Sequence, residues 1–488
     1  MRARPLVGCV AAATALLVAG GSASATGSAV GAPGAGDPYY PMDGNGGYDV
    51  NHYGVTIDYT PASKMLYGDT TIDATTTQKL TQFDLDFYGF QIDSLTVNGQ
   101  KASWSRSGQH ELVVTTPTKL AKHSQLKVRV KYHGQPISSS GLDDYSGWNY
   151  SSSGGAFAAN EPHSAASWYP VNDTPLDKAT FTLKATVPNE FSVISNGEQT
   201  AKKTHGARTT YTWTETDPII GYLTTVAIDK FTYLKQKTKD GIPLVSAFAP
   251  GAEDKMQDEK RLPDVISLLE RYFGPYPQSS GGGIFVADQI GFSLETQDRP
   301  TYAAWADLPT IVHENGHQWW GDSMSVKTWR DVCMNECFAS YGEWLWEQDE
   351  NNVNLDDEYS SEMARFADNT NFWANPLWDM GAGREFTNSY TRGPLFLQAL
   401  RAYIGDKPFF KILRTYTQLH RGGNTSMQEF ERYVQKVSKQ DVSSFFQAWV
   451  YGKTRPDDKY IWFGPFQKPS ATSAVAAPNL LAKSQHNR

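Results

Sequence analysis

Two histidines and one glutamate constrain this chain more than any other feature. His313 and His317 stand four apart in the run His313-Glu314-Asn315-Gly316-His317, and Glu336 follows 19 residues after His317. Residues four apart lie one turn apart on the same helix face. Both imidazoles can then reach one ion at about 2.0–2.1 Å. Glu314 sits beside that face, where it can reach a water held by the ion without ligating the metal itself. The stretch WRDVCMNECFASYGEWLWE reads as a second helix, and it carries Glu336. By itself the histidine pair is as readily chance as a site. The third donor changes that balance, because two imidazoles, one carboxylate and an open fourth position form a standard catalytic zinc set. A chain that uses them must bring two helices together at one point, with one zinc ion per chain.

The rest of the chain divides by pattern. Arg2 and Arg4, the apolar run at 6–19 and Ala23-Ser24-Ala25 form a secretory signal over residues 1–25, with cleavage expected after Ala25. Leu6-Val7-Gly8-Cys9 looks like a lipid-attachment box, but its cysteine stands near the start of the apolar run instead of after it. Residues 26–47, rich in Gly, Ala and Pro, read as a flexible leader. From 48 to 247 short alternating segments, divided by turns such as Asn98-Gly99 and Asn196-Gly197, predict an antiparallel β domain. From 248 to 466 the periodicity is mainly helical, and 467–488 read as a disordered tail. The fold class is therefore multidomain α+β.

Composition excludes some partners. The charge of 44 − 52 = −8 leaves no basic excess for nucleic acid. No stretch after the signal reaches the length of a transmembrane helix. Oligomeric state is not readable. Past the signal only Cys333 and Cys337 remain, and both are expected as free, buried thiols because their helical spacing aims them poorly for bridging. Trp319, Trp320, Trp329, Trp344 and Trp346 read as core, and Glu343, two turns past Glu336, either supports the site or, as the commoner case, is a helix-surface residue.

HENGHQWWGD followed by NECFASY resembles the HExxH–x18–E signature of the M1 family of zinc aminopeptidases, with NECFA where the family has NEGFA. The resemblance runs from YDVNHYGVTIDY to WVYGKTRPD. It implies a saddle-like β domain followed by a thermolysin-like helical catalytic domain. It also implies roles: His313, His317 and Glu336 as zinc ligands and Glu314 as general base. SYTRGPLFLQAL resembles the YxKG segment, which makes Tyr390 the transition-state stabiliser, with Arg392 replacing Lys. GFSLETQ resembles GxMEN and assigns Glu295 to substrate binding, although Leu294 and Thr296 replace Met and Asn and Phe292 stands in the expected Gly place. ANEPHSAASWYPVNDTP resembles the QxE…PxxDxP stretch and assigns Glu161 to the substrate amine, with Ala159 in place of Gln.

The implied activity is removal of N-terminal residues from peptides with a free N-terminus. A free amine is cationic at neutral pH, since its pKa is about 8. Two carboxylates beside the metal would hold it and set the cleaved bond one residue in. The alternatives are an endopeptidase or epoxide-opening hydrolase on the same scaffold, or a secreted binding protein with a relic zinc site.

Overall fold

The computed structural model describes residues 29–137 and 147–468. The expected signal at 1–25 and the tail beyond 468 lie outside the described residues.

Alternation of apolar and polar residues builds the first half. Strand Tyr48–Thr60 buries Tyr48 and Val50, then Tyr53, Val55, Ile57 and Tyr59. The buried parity switches from even to odd where a bulge interrupts the pairing between Val50 and His52. A one-residue insertion turns every later side chain to the other face, so the bulge keeps the apolar set inward. This strand lies in an eight-stranded sheet beside Met65–Thr76 on one side and Ala179–Pro188 on the other. Pairing is antiparallel except between Tyr48–Thr60 and Ala179–Pro188, which run parallel. A three-stranded sheet (Leu80–Asp86, Glu111–Leu120 and Ser103–Ser107) and a four-stranded one complete this half.

The expected domain boundary at 247/248 falls inside a sheet. Strands Thr232–Lys237 and Pro243–Phe248 pair with each other, and Pro243–Phe248 continues in parallel to Ile284–Phe285 and on to Thr301–Tyr302. Hydrogen bonding therefore joins residues 232–248 to the segment that precedes the histidine helix.

Residues 29–47 are not a loose leader. Gly31 donates its backbone N–H to Gln82 O at 2.9 Å and Ala35 does so to Asp43 O at 2.9 Å. Asp37 accepts from the Trp329 backbone N–H, Tyr39 Oη donates to Asp379, and Tyr40 Oη donates to Glu385. The segment thus straps the β half to the helical half. Its Gly and Pro content serves tight turns: Gly44 and Gly47 both adopt positive φ, which an L side chain rarely takes.

The second half packs around helices Leu308–Gly316, Cys333–Asn351 and Ser389–Ile404. Trp319, Trp320, Trp329, Trp344 and Trp346 are all buried there or at the seam. No helix among the described residues is long and apolar enough to cross a membrane.

Candidate active site

Helix Leu308–Gly316 begins with a capping box. Asp307 accepts from the Thr310 backbone N–H, and Pro309 occupies the first turn, where its missing N–H costs nothing. His313 lies in the last turn, and His317 is the first residue past the helix, still in right-handed conformation. Helix Cys333–Asn351 crosses close against it. A Cβ on Gly316 would stand 3.1 Å from Ala339 Cα, so glycine is what allows this approach. The crossing brings Glu336 to the two imidazoles.

The three donor atoms converge. His313 Nε2 and His317 Nε2 are 3.1 Å apart, and Glu336 Oε2 lies 3.3 Å and 3.4 Å from them. Atoms at these separations can all sit about 2.0–2.1 Å from one point, the zinc–nitrogen and zinc–oxygen range. All three side chains are buried. Burial opposes ionisation of Glu336, but the facing imidazoles outweigh it and hold this carboxylate below its usual range. The donor set therefore fits a zinc ion.

Each imidazole has an acceptor behind it. His313 Nδ1 is 2.7 Å from Glu343 Oε1, and His317 Nδ1 is 3.1 Å from Trp320 O. Of the two readings of Glu343, the helix-surface one fails here, because the residue is buried against His313. Its position was inferable. It stands seven residues after Glu336, two turns on, and so shares the face that meets the histidine helix.

A cavity of about 390 Å³ opens over these donors. Its walls include Glu314, Tyr390, Glu295 and Glu161, so the candidate base, oxyanion donor and amine-binding residues share one space with the three donors. Glu161 stands two residues past the end of strand Ala156–Ala159, and a bridge between Leu294 and Thr301 sets the next residue, Glu295. Tyr222 Oη donates to Glu295 Oε1 at 3.1 Å. Burial, then the charge of Glu295, push Glu161 well above the carboxylate range. Burial also pushes Glu295 up to about 7, with His317 working in the other direction. Two crowded carboxyl groups of this kind favour a cationic guest.

Tyr390 starts helix Ser389–Ile404, its ring centroid 5.8 Å from that of His313. Arg392, two residues on, is turned away from the cavity. Its guanidinium donates to the carbonyls of Trp373, Asn375, Ala448, Trp449 and Gly452, which explains why this position accepts Arg. Tyr40, Glu385 and Phe386 also line the cavity, and nothing in their local sequence marks them.

Cys333 and Cys337 form a disulfide, against the expectation of free thiols. Their Cα atoms are 4.8 Å apart, inside the bridging range, because the pair lies at the first turn of its helix and on one face. A Cβ on Gly393 would meet Cys337 Sγ at 2.6 Å, so glycine makes the room.

A sheet-rich half followed by a helical half that carries HExxH and its distant glutamate is the architecture of a two-domain metallopeptidase. Residues 49–223 match the Peptidase M1 N-terminal domain and residues 295–449 match the Peptidase family M1 domain, so the chain belongs to peptidase family M1. It is similar to Probable aminopeptidase 2 of Sulfurisphaera tokodaii, 26% identical over 322 residues covering 59% of this chain and 40% of that protein. It is similar also to Aminopeptidase N of Lactococcus lactis, 26% identical over 321 residues covering 59% and 37%. The chain thus spans less than half the length of these curated relatives. Among solved structures, the M1 zinc metallopeptidase from Deinococcus radiodurans is 27% identical with a TM-score of 0.80, covering 87% of this chain and 98% of that one. A mutant of the same protein has been solved bound to a Tyr-Ser-Ala substrate.

Proposed function

We propose that this chain is a secreted zinc aminopeptidase that hydrolyses the first peptide bond of peptides with a free N-terminus. The observation that carries this reading is one shared cavity. The carboxylates of Glu161 and Glu295 line the same space as His313, His317 and Glu336. Zinc held by those three residues supplies a Lewis acid for the peptide carbonyl and a lowered pKa for water, toward about 7. Glu314 lines the cavity beside the donors and acts as general base, then returns the proton to the leaving amine. Tyr390 donates a hydrogen bond to the oxygen on which charge develops. Glu161 and Glu295 hold the substrate ammonium, which sets the cleaved bond one residue from the end. The Tyr-Ser-Ala peptide bound to the Deinococcus relative supports a peptide as substrate. The Cys333–Cys337 disulfide supports an oxidising compartment, in line with the signal at 1–25.

The deciding experiment is turnover of a panel of aminoacyl fluorogenic substrates, with and without chelator, beside matched N-acetylated peptides. Cleavage of free but not acetylated substrates, abolished by chelator, is expected. Efficient cleavage of acetylated peptides would make the protein an endopeptidase. Bound zinc with no turnover of any substrate would make the centre a relic. Glu314→Gln is expected to keep zinc and lose nearly all activity; full activity in that variant removes Glu314 from the mechanism.

A further inference from the structure

A second group of donors lies in the β half, away from the cavity. Strand Leu80–Asp86 ends where strand Glu111–Leu120 begins, and the register sets Asp86 directly opposite Glu111. Like charges facing across a strand pair are destabilising. Both residues are at most 2% exposed, so water does not relieve them. Asp86 Oδ1 and both Glu111 carboxylate oxygens are buried without a hydrogen-bond partner. Among the described residues no lysine or arginine forms an ion pair with either. What faces them is the imidazole of His110. Its Nε2 lies 3.5 Å from Asp86 Oδ1, 3.6 Å from Glu111 Oε1 and 3.7 Å from Asp43 Oδ1. The carbonyl oxygen of Met42 is 3.2 Å from the same nitrogen.

Asp86, His110 and Glu111 each offer a donor atom within 4.8 Å of the other two. The nitrogen–oxygen separations of 3.5 Å and 3.6 Å suit ion–ligand distances of about 2.1–2.4 Å, which span zinc–oxygen and the shorter calcium–oxygen bonds. Even with the imidazoles of His110 and His163 both charged, one of the three carboxylates stays uncompensated in a buried place, and buried charges are costly unless paired or metal-bound. We propose that Asp86, His110 and Glu111, with Asp43, hold a second divalent cation. The imidazole suits Zn2+, and the carboxylates suit Mn2+ as well.

The site is structural. Asp43 belongs to the strap at residues 29–47, and Tyr40, three residues earlier, donates to Glu385 at the rim of the active-site cavity. The Tyr40 ring lies 4.6 Å from that of His163, whose Nδ1 also pairs with Asp43. A cation on Asp43 therefore anchors the strap that delivers Tyr40.

The test is metal stoichiometry of the full chain. Metal-depleted protein is first loaded with one equivalent of Zn2+ and then titrated with Mn2+, followed by electron paramagnetic resonance and elemental analysis. One bound Mn2+ per zinc-loaded chain is expected, accompanied by a rise in Tm. In Glu111→Gln, which keeps size and shape, the second equivalent is expected to be lost or weakened at least ~10-fold, while the first remains. His313→Ala/His317→Ala should show the reverse: loss of the first ion and retention of the second. No second equivalent in wild-type protein with either metal overturns the proposal. So does an unchanged second equivalent in Glu111→Gln. Should that variant not fold, the wild-type titration alone still decides.

Discussion

Glu343 Oε1 lies 2.7 Å from His313 Nδ1, on the side of the ring opposite the donor nitrogen that faces Glu336. Were Nε2 committed to a metal, Nδ1 would carry the proton and donate it to the carboxylate. That bond fixes both tautomer and ring plane. Glu343→Ala is expected to weaken zinc binding by about 10–100-fold, read by competition with a chromogenic chelator. Glu343→Gln keeps an acceptor oxygen and should retain more affinity than the alanine variant. Unchanged zinc affinity in Glu343→Ala would show that the His313 ring is held by packing alone.

Tyr390 shares the cavity with the donor set and sits at the start of its helix. In the proposed role its hydroxyl acts only when charge appears on the substrate oxygen. Removing one such donor typically costs about 10²–10³ in rate. Tyr390→Phe is therefore expected to lower kcat by that order with KM little changed. A raised KM at constant kcat would assign Tyr390 to substrate binding instead.

The disulfide gives a direct chemical check. Protein comprising the described segments contains Cys333 and Cys337 and no other cysteine. Denatured without reductant it should show no reactive thiol, and after reduction two per chain. Both residues are fully buried and flank Glu336, so reduction is also expected to loosen the first turn that carries that carboxylate. Two thiols in the unreduced, denatured protein would restore the expectation from spacing alone.

That the three donors could meet is legible in the sequence where geometry is local. His313 and His317 are neighbours on one short helical segment, and the helix that carries Glu336 shows its period plainly. For Glu343 the sequence leaves surface and site support both open, because its partner lies 30 residues away and depends on a helix crossing that Gly316 and Ala339 permit. Tyr40 and Glu385 reach the cavity from segments without periodicity, and only tertiary contacts bring them there. The β pattern shows which face of Tyr48–Thr60 is buried, but alternation is blind to partner and direction. The parallel pairing with Ala179–Pro188 is accordingly invisible in it. Gly and Pro content likewise marks turns at 26–47 without saying whether those turns are packed.

Glu259 supplies the pH prediction. It is fully buried, accepts from Ser246 Oγ at 2.5 Å, and its Oε2 has no partner. Burial pushes its pKa up from 4.5 to about 8, with the Ser246 hydrogen bond opposing the rise. The folded protein therefore holds a proton between these values that the unfolded chain has released. The stabilising contribution is complete below the unfolded value and is lost as pH rises through the folded one. Glu259→Gln keeps the hydrogen-bonding shape and cannot titrate. Its Tm relative to wild type is expected to climb between pH 5 and pH 8 and to level off above. The check is paired melting curves at half-unit steps, with salt held constant. Parallel curves across that range would mean that Glu259 is already ionised in the folded state, through a donor or water that reaches Oε2.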